Sequence, residues 1–288
     1  SEFENDYLTI VGAIKASRNP LIAKTLFAAP QASRFLNGPT RQGADHRSGY
    51  QWAEQLLQHH PDLVDALSWH EWLVRDLIAT EWFYDSIIEA RKLSQKYPKS
   101  DGVARPLIIS QTNISSGQSL SPYEQDTFFA ALWWTSVICQ SIRSGDLAQL
   151  VWFKAADDGT YNKGLVTKKR GQFQLKPVGL AMSFLSESML DKSVSITNPS
   201  VEVDIAISTK NRSSEGEKDQ ISIIGVNKSK RKQTLTLTLP ESLRFSGGIA
   251  QKLNKDLTIE DLKFQQTSGG TVKIELEGED IFTINATL

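Results

Sequence analysis

In this 288-residue chain the side chains best suited to chemistry stand where short apolar runs stop. PLIISQTN, Pro106 to Asn113, ends in Gln111, Thr112 and Asn113. VDALSWHEW, Val64 to Trp72, ends in His70, Glu71 and Trp72. AQLVWFKAADD, Ala148 to Asp158, carries Trp152, Lys154, Asp157 and Asp158. Amides, an imidazole, carboxylates and an ammonium can hold hydroxyls or move protons, and indole faces suit the apolar face of a ligand. Some of these groups have plainer readings: a His between two Trp residues also fits a hydrogen-bonded core, and Asp-Asp-Gly is a turn sequence. His70-Glu71 is not a zinc motif, because HEWLV lacks a second His at helical spacing. The lone Cys139, inside ALWWTSVICQSI, excludes an internal disulfide and a Cys-based zinc site, and it reads as a small buried hydrophobe.

The elements that must position these groups follow from periodicity. The three runs and a fourth, AKTLFAAP from Ala23 to Pro30, are spaced by amphipathic segments. Helices are expected at Asp6 to Ser17, Arg47 to His60, Glu81 to Tyr97, Pro122 to Arg143 and Lys176 to Met189. This βαβα rhythm predicts an α/β fold with a parallel sheet, whose buried strands end at the mouth where such folds place their sites. Near Ser193 the pattern changes to short alternating stretches, VEVDIAIS, DQISIIGVNKS, KQTLTLTLP, TVKIELEG and DIFTINATL, which predict an antiparallel β-sandwich. The expected domains are residues 1–191 and 192–288. A closed eight-stranded barrel needs eight βα units, and only four strands precede the sandwich, the first element being a helix with no strand before it. The chain is therefore expected to be either the second half of a barrel or an open four-stranded sheet.

Composition narrows the partners. Lys and Arg number 32 against 33 Asp and Glu, a net charge of −1 that does not fit a nucleic-acid binder. No run of eighteen apolar residues is present, and SEFENDYLTIVG lacks the basic start and apolar stretch of a signal peptide. An uncharged small ligand is the better match, with no membrane contact. The four Asn-x-Ser/Thr triplets at Asn113, Asn211, Asn227 and Asn285 do not identify a compartment; an extracytoplasmic setting is favoured.

Read in order, DYLTIVGAIKASRNP, TLFAAP, DLVDALSWHEW, RPLIISQTN, LVWFKAADDGTYNKGL and LKPVGLAMSFLSE resemble the fifth strand onward of a clan A glycoside hydrolase of the β-xylosidase and α-L-iduronidase type. GEDIFTINATL is similar to the close of the β-sandwich that follows such barrels. The resemblance spans essentially the whole chain and rests more on the order of elements than on one motif. It implies the second half of a (β/α)8 barrel with its sandwich, a carbohydrate substrate, no cofactor or metal, and an N-terminal half of the barrel in the parent protein.

The resemblance also implies roles. In such enzymes one carboxyl protonates the leaving oxygen and a second, roughly 5 to 5.5 Å away, forms a covalent glycosyl-enzyme. The family's Ser/Thr-Glu at the end of the seventh strand is here Ser110-Gln111, so Gln111 occupies the nucleophile position. An amide cannot replace that carboxylate. The chain is then an impaired retaining hydrolase, a sugar-binding pseudoenzyme, or a hydrolase of 2-acetamido sugars in which the substrate's own amide attacks; a strand-capping Gln111 and a purely structural module are the non-carbohydrate alternatives. Glu2 falls near the position of the general acid, although Ser-Glu-Phe is also what a cloning linker leaves. His70 corresponds to the residue beside the nucleophile, with Glu71 the nearest other carboxylate and Trp72 beside it. Trp152 corresponds to the stacking platform; Asn113, Lys154, Asp157 and Asp158 are further candidates for sugar contacts.

Overall fold

The computed structural model of this chain describes all residues except 37–48, 73, 116–120, 158–160, 199, 212–218, 246 and 268. The chain divides into two compact units: Ser1–Trp72, Asp85–Asn113 and Asp146–Trp152 make the first, and Leu73–Tyr84, Ile114–Gly145 and Phe153–Leu288 the second.

The first unit holds α1 (Glu2–Lys15), α2 (Pro20–Ala23), β1 (Ala28–Ala32), α3 (Gly49–His59), β2 (Ala66–Glu71), most of α4 (Glu81–Lys96), β3 (Leu107–Thr112) and β4 (Leu147–Trp152). Its four strands form one parallel sheet in the order β1-β2-β3-β4. Leu67, Trp69, Leu107 and Ile109 are fully buried in the central strands. Leu56 and Leu57 on α3 and Ile87, Ala90 and Leu93 on α4 supply buried helical faces at the spacing amphipathic helices need. Each such Leu or Ile contributes about 1.5–3 kcal/mol on leaving water. Buried Arg105, just before β3, donates to the carbonyls of Val64 at 2.9 Å, Tyr97 at 2.8 Å and Pro61 at 2.6 Å. Those bonds satisfy a guanidinium that burial would otherwise penalise.

Among the boundaries that differ from the sequence expectation, two are set by capping residues. The first strand begins at Ala28 rather than Ala23, because Asn19 caps a short helix with Pro20 at its first position, which takes the chain to Ala23. The expected helix from Pro122 to Arg143 is two, α5 (Pro122–Asp126) and α6 (Phe128–Ser144). Thr127 between them is extended, and its hydroxyl accepts from the Phe129 amide to start α6.

The second unit continues with a hairpin of β5 (Val166–Lys169) and β6 (Gln172–Leu175), then α7 (Pro177–Leu185) and β7 (Lys192–Val194). The hairpin was not expected; its signal is Arg170-Gly171, both at positive φ, as a two-residue turn requires. There follow β8 (Val203–Lys210), β9 (Gln220–Asn227), β10 (Gln233–Thr238), β11 (Ile249–Leu253), β12 (Ile259–Asp261), β13 (Phe264–Gln266), β14 (Thr271–Leu276) and β15 (Ile281–Thr287). They make an antiparallel sheet ordered β12-β11-β15-β9-β8-β7 and another ordered β10-β14-β13. Val203, Ile205, Ile207 and Phe282 of the first sheet share a core with Val272, Ile274 and Leu276 of the second. In β10 the threonines are exposed and the leucines half-buried, as the alternation in QTLTLTLP predicts. The chain is thus mixed α/β, with a parallel sheet and separate antiparallel sheets, and no described helix is long and apolar enough to cross a membrane.

Candidate functional site

The carboxyl ends of β1, β2 and β3 gather a set of uncharged polar side chains. Register slips by one residue in both flanking strands: Pro30 and Ala32 pair with Ser68 and Trp69, while Ile109 and Gln111 pair with Trp69 and His70. Gln31 and Ser110 are the residues left over, and Gln31 takes a positive φ. Extra residues of this kind re-aim side chains at strand ends. Here the Gln31 amide donates to Ser68 Oγ at 2.9 Å, and Ser110 Oγ donates to Gln31 Oε1 at 2.7 Å. The three residues are thereby tied across β1, β2 and β3. His70 lies two residues beyond Ser68, hence on the same face, and Gln111 is its register partner. The cluster is Gln31, Ser68, His70, Ser110 and Gln111.

Two features set its electrostatics. Burial lowers the His70 pKa below its ordinary value, so the imidazole is neutral at physiological pH. No side chain of the cluster carries a formal negative charge. Trp72 packs edge-on against His70, with ring centroids 6.4 Å apart, and so places an indole at the margin of the polar set.

Glu71 belongs to the other face of β2. Its Oε2 accepts from Trp69 Nε1 at 3.0 Å, and its Oε1 has no regular hydrogen-bond partner among the described residues. The carboxyl is fully buried, and this desolvation outweighs the favourable influence of Trp69, Ser86, the Phe35 backbone and Arg34, raising its pKa to about 8. Glu71 is therefore a neutral acid at physiological pH, turned away from the cluster. Register sets Thr112 level with Glu71 and Trp152 level with Thr112, all three buried. Asn113 follows β3 and is fully buried as well.

Glu2 is exposed in the first turn of α1, not at a strand end, and no contact among the described residues links it to the cluster. In the second unit, Lys154 Nζ sits 5.4 Å from the centre of the Tyr161 ring. Asp157 is engaged structurally: it pairs with the buried Lys176 at 2.8 Å and accepts from the Gly164 amide at 2.8 Å. Lys176 also pairs with Asp126 at 2.8 Å. Asp158 lies outside the described residues. Cys139 is buried, its thiol pKa pushed up by desolvation, as a structural cysteine requires. Sequence reading did not single out Gln31 or Ser68. The signal for Gln31 was the polar residue directly after the AAP of the first run.

No family model matches the sequence, and no curated protein matches it. Solved structures do. A family 51 α-L-arabinofuranosidase of Bifidobacterium longum superposes with a TM-score of 0.72 at 12% identity, over 99% of this chain and 62% of that one. A GH30 endoxylanase of Clostridium papyrosolvens gives 0.65 at 14%, over 99% and 61%. A bifunctional glucanase-xylanase from a metagenome library gives 0.64 at 15%, over 99% and 59%. The chain shares the fold of the matched parts of these structures. At these identities the likeness is one of fold, and the chain spans about three fifths of the length of each structure.

Proposed function

We propose that this chain is the sugar-engaging part of a glycoside hydrolase scaffold, acting on or binding an oligo- or polysaccharide at the carboxyl ends of its parallel strands. In this reading β1 to β4 correspond to the fifth to eighth strands of a (β/α)8 barrel, and residues 192–288 to its appended β-sandwich. The observation that supports it is the cluster of Gln31, Ser68, His70, Ser110 and Gln111 on a fold shared with glycoside hydrolases. Hydroxyls, amides and a neutral imidazole, each able to donate and accept, suit the hydroxyls of a sugar, with Trp72 as an apolar border. Gln111 takes the position of the carboxylate nucleophile. An amide oxygen forms no glycosyl-enzyme and stabilises no oxocarbenium charge, so retaining hydrolysis is impaired and binding is what the cluster does best.

Replacing Gln111 tests this in the full-length protein. Gln111→Glu is expected to raise hydrolysis of activated aryl glycosides on the order of 10²-fold or more over Gln111→Ala, a barrier change of about 2.7 kcal/mol. A fluorinated sugar should then leave a covalent adduct detectable by mass spectrometry. The α-L-arabinofuranosides and xylo-oligosaccharides suggested by the similar structures are the first ligands to try. Adding Glu2→Gln to Gln111→Glu reads the acid assignment: unchanged rates follow from its exposure in α1, and loss of the gained activity would restore it as the acid. Turnover of 2-acetamido sugars alone by the unaltered protein would favour the substrate-assisted route. If all variants are inert and none binds neutral, acidic or acetamido sugars, the carbohydrate reading is overturned.

A further inference from the structure

Several contacts hold helix α1 in the first unit. The Phe3 and Trp52 rings stack at 5.2 Å, the Tyr7 hydroxyl donates to the Leu63 carbonyl at 2.7 Å, and Glu4 reaches the end of α3. Glu4 is 8% exposed, unusual for a carboxylate in the first turn of a terminal helix. Its two oxygens face different partners. Oε2 accepts from Gln55 Nε2 at 2.7 Å and from the Ser1 amine at 3.1 Å. Oε1 faces His59 Nδ1 at 2.8 Å and His60 Nε2 at 3.4 Å. Donor atoms of the three side chains lie within 4.8 Å of one another.

We propose that Glu4, His59 and His60 form a binding site for a divalent transition-metal ion of the zinc class. Two imidazoles and one carboxylate are a donor set zinc accepts, leaving a fourth position for water. Tetrahedral bonds of about 2.0–2.1 Å place donor atoms about 3.3 Å apart. The His60–Glu4 separation already meets that, and the His59 ring must retreat by roughly half an ångström as the ion replaces its Nδ1 proton. His59 then carries its remaining proton on Nε2. Gln55 acts on the carboxylate's other oxygen as an orienting partner, which is the usual support of a metal-bound carboxylate. The chain brings these residues together over 55 positions, which is why no metal-ligand spacing is visible in the sequence. A bound ion would fasten α1 to the end of α3.

Titration of the chelator-treated full chain with Zn2+ by calorimetry, and with Co2+ by visible absorption, tests the site. One equivalent should bind, Co2+ should develop the strong absorption of a tetrahedral complex, and the melting temperature should rise. His59→Ala and His60→Ala should each weaken binding by about tenfold or more, and the double variant should abolish it; Gln55→Ala should weaken it about 10- to 100-fold. His70→Ala serves as the control and should bind as the parent does. Because Glu4 also caps α1, Glu4→Gln is read with circular dichroism: retained helix with lost Co2+ absorption supports the site. Absence of saturation below about 1 mM, a double-His variant that binds like the parent, or binding lost in His70→Ala instead would overturn it.

Discussion

Glu71 and Asp204 are both buried carboxyls on strands, one in each unit, and the chain treats them in opposite ways. Glu71 Oε2 accepts from Trp69, and burial, outweighing the influence of Trp69, Ser86, the Phe35 backbone and Arg34, keeps it protonated up to about pH 8. Asp204 on β8 is surrounded. Lys228 Nζ pairs with it at 2.9 Å, Gln140 donates at 3.0 Å, and the Ser136 hydroxyl donates to its Oδ2. A paired buried charge locks one arrangement, whereas a poorly paired buried carboxyl avoids its desolvation cost by staying neutral. Asp204 is thus a structural fastener between α6 and the sheet, and Glu71 a group whose charge depends on pH.

The largest effect expected from breaking this contrast is at the fastener. Lys228→Met strands Asp204 without its cation and should lower the stability of the second unit by about 3–5 kcal/mol in urea unfolding. Adding Asp204→Leu should recover part of that loss, because two apolar residues carry no desolvation cost. Equal loss in single and double variants would show that the pair does not hold the unit.

Glu71 should show a smaller effect, visible only as a function of pH. Its folded pKa of about 8 lies above the ordinary value of 4.5, so between those limits the folded state holds a proton that the unfolded state has released. Stability from this group is full below about pH 4.5 and falls as pH rises towards 8. Glu71→Gln cannot ionise and should flatten that slope, matching or exceeding the parent near pH 8. Identical slopes for the two proteins in thermal melts from pH 5 to pH 8 would refute a neutral Glu71. The smallest change is Ser136→Ala, which removes one donor from Asp204 while leaving Lys228 in place. It should cost about 1.5 kcal/mol, well below the Lys228 variant.

The parallel strands and the antiparallel strands were legible because their signals are local. LIISQT and ALSWHE are apolar runs bounded by polar residues, and QTLTLTLP alternates with the period of a pleated strand. Capping by Asn19 and Thr127 was equally local, and it accounts for two of the misplaced boundaries. The strand-end position of Gln111 followed from the same runs, whereas its place beside His70 came only from the resemblance. The supporting cluster did not, because Gln31, Ser68 and Ser110 meet through register slips in two strands, and register is settled by pairing rather than by either strand alone.

The sequence by itself determined the kinds of element, their order and the polar residues that end the strands. Tertiary structure alone decided which of those polar residues share a face. It committed Asp157 to Lys176 and covered Asp204 with α6, although alternation only sets Asp204 on the face opposite Val203 and Ile205. It also brought Glu4 to His59 and His60. Charge state and ligand geometry depend on what surrounds a group within a few ångströms, and in these cases the neighbours come from distant parts of the chain.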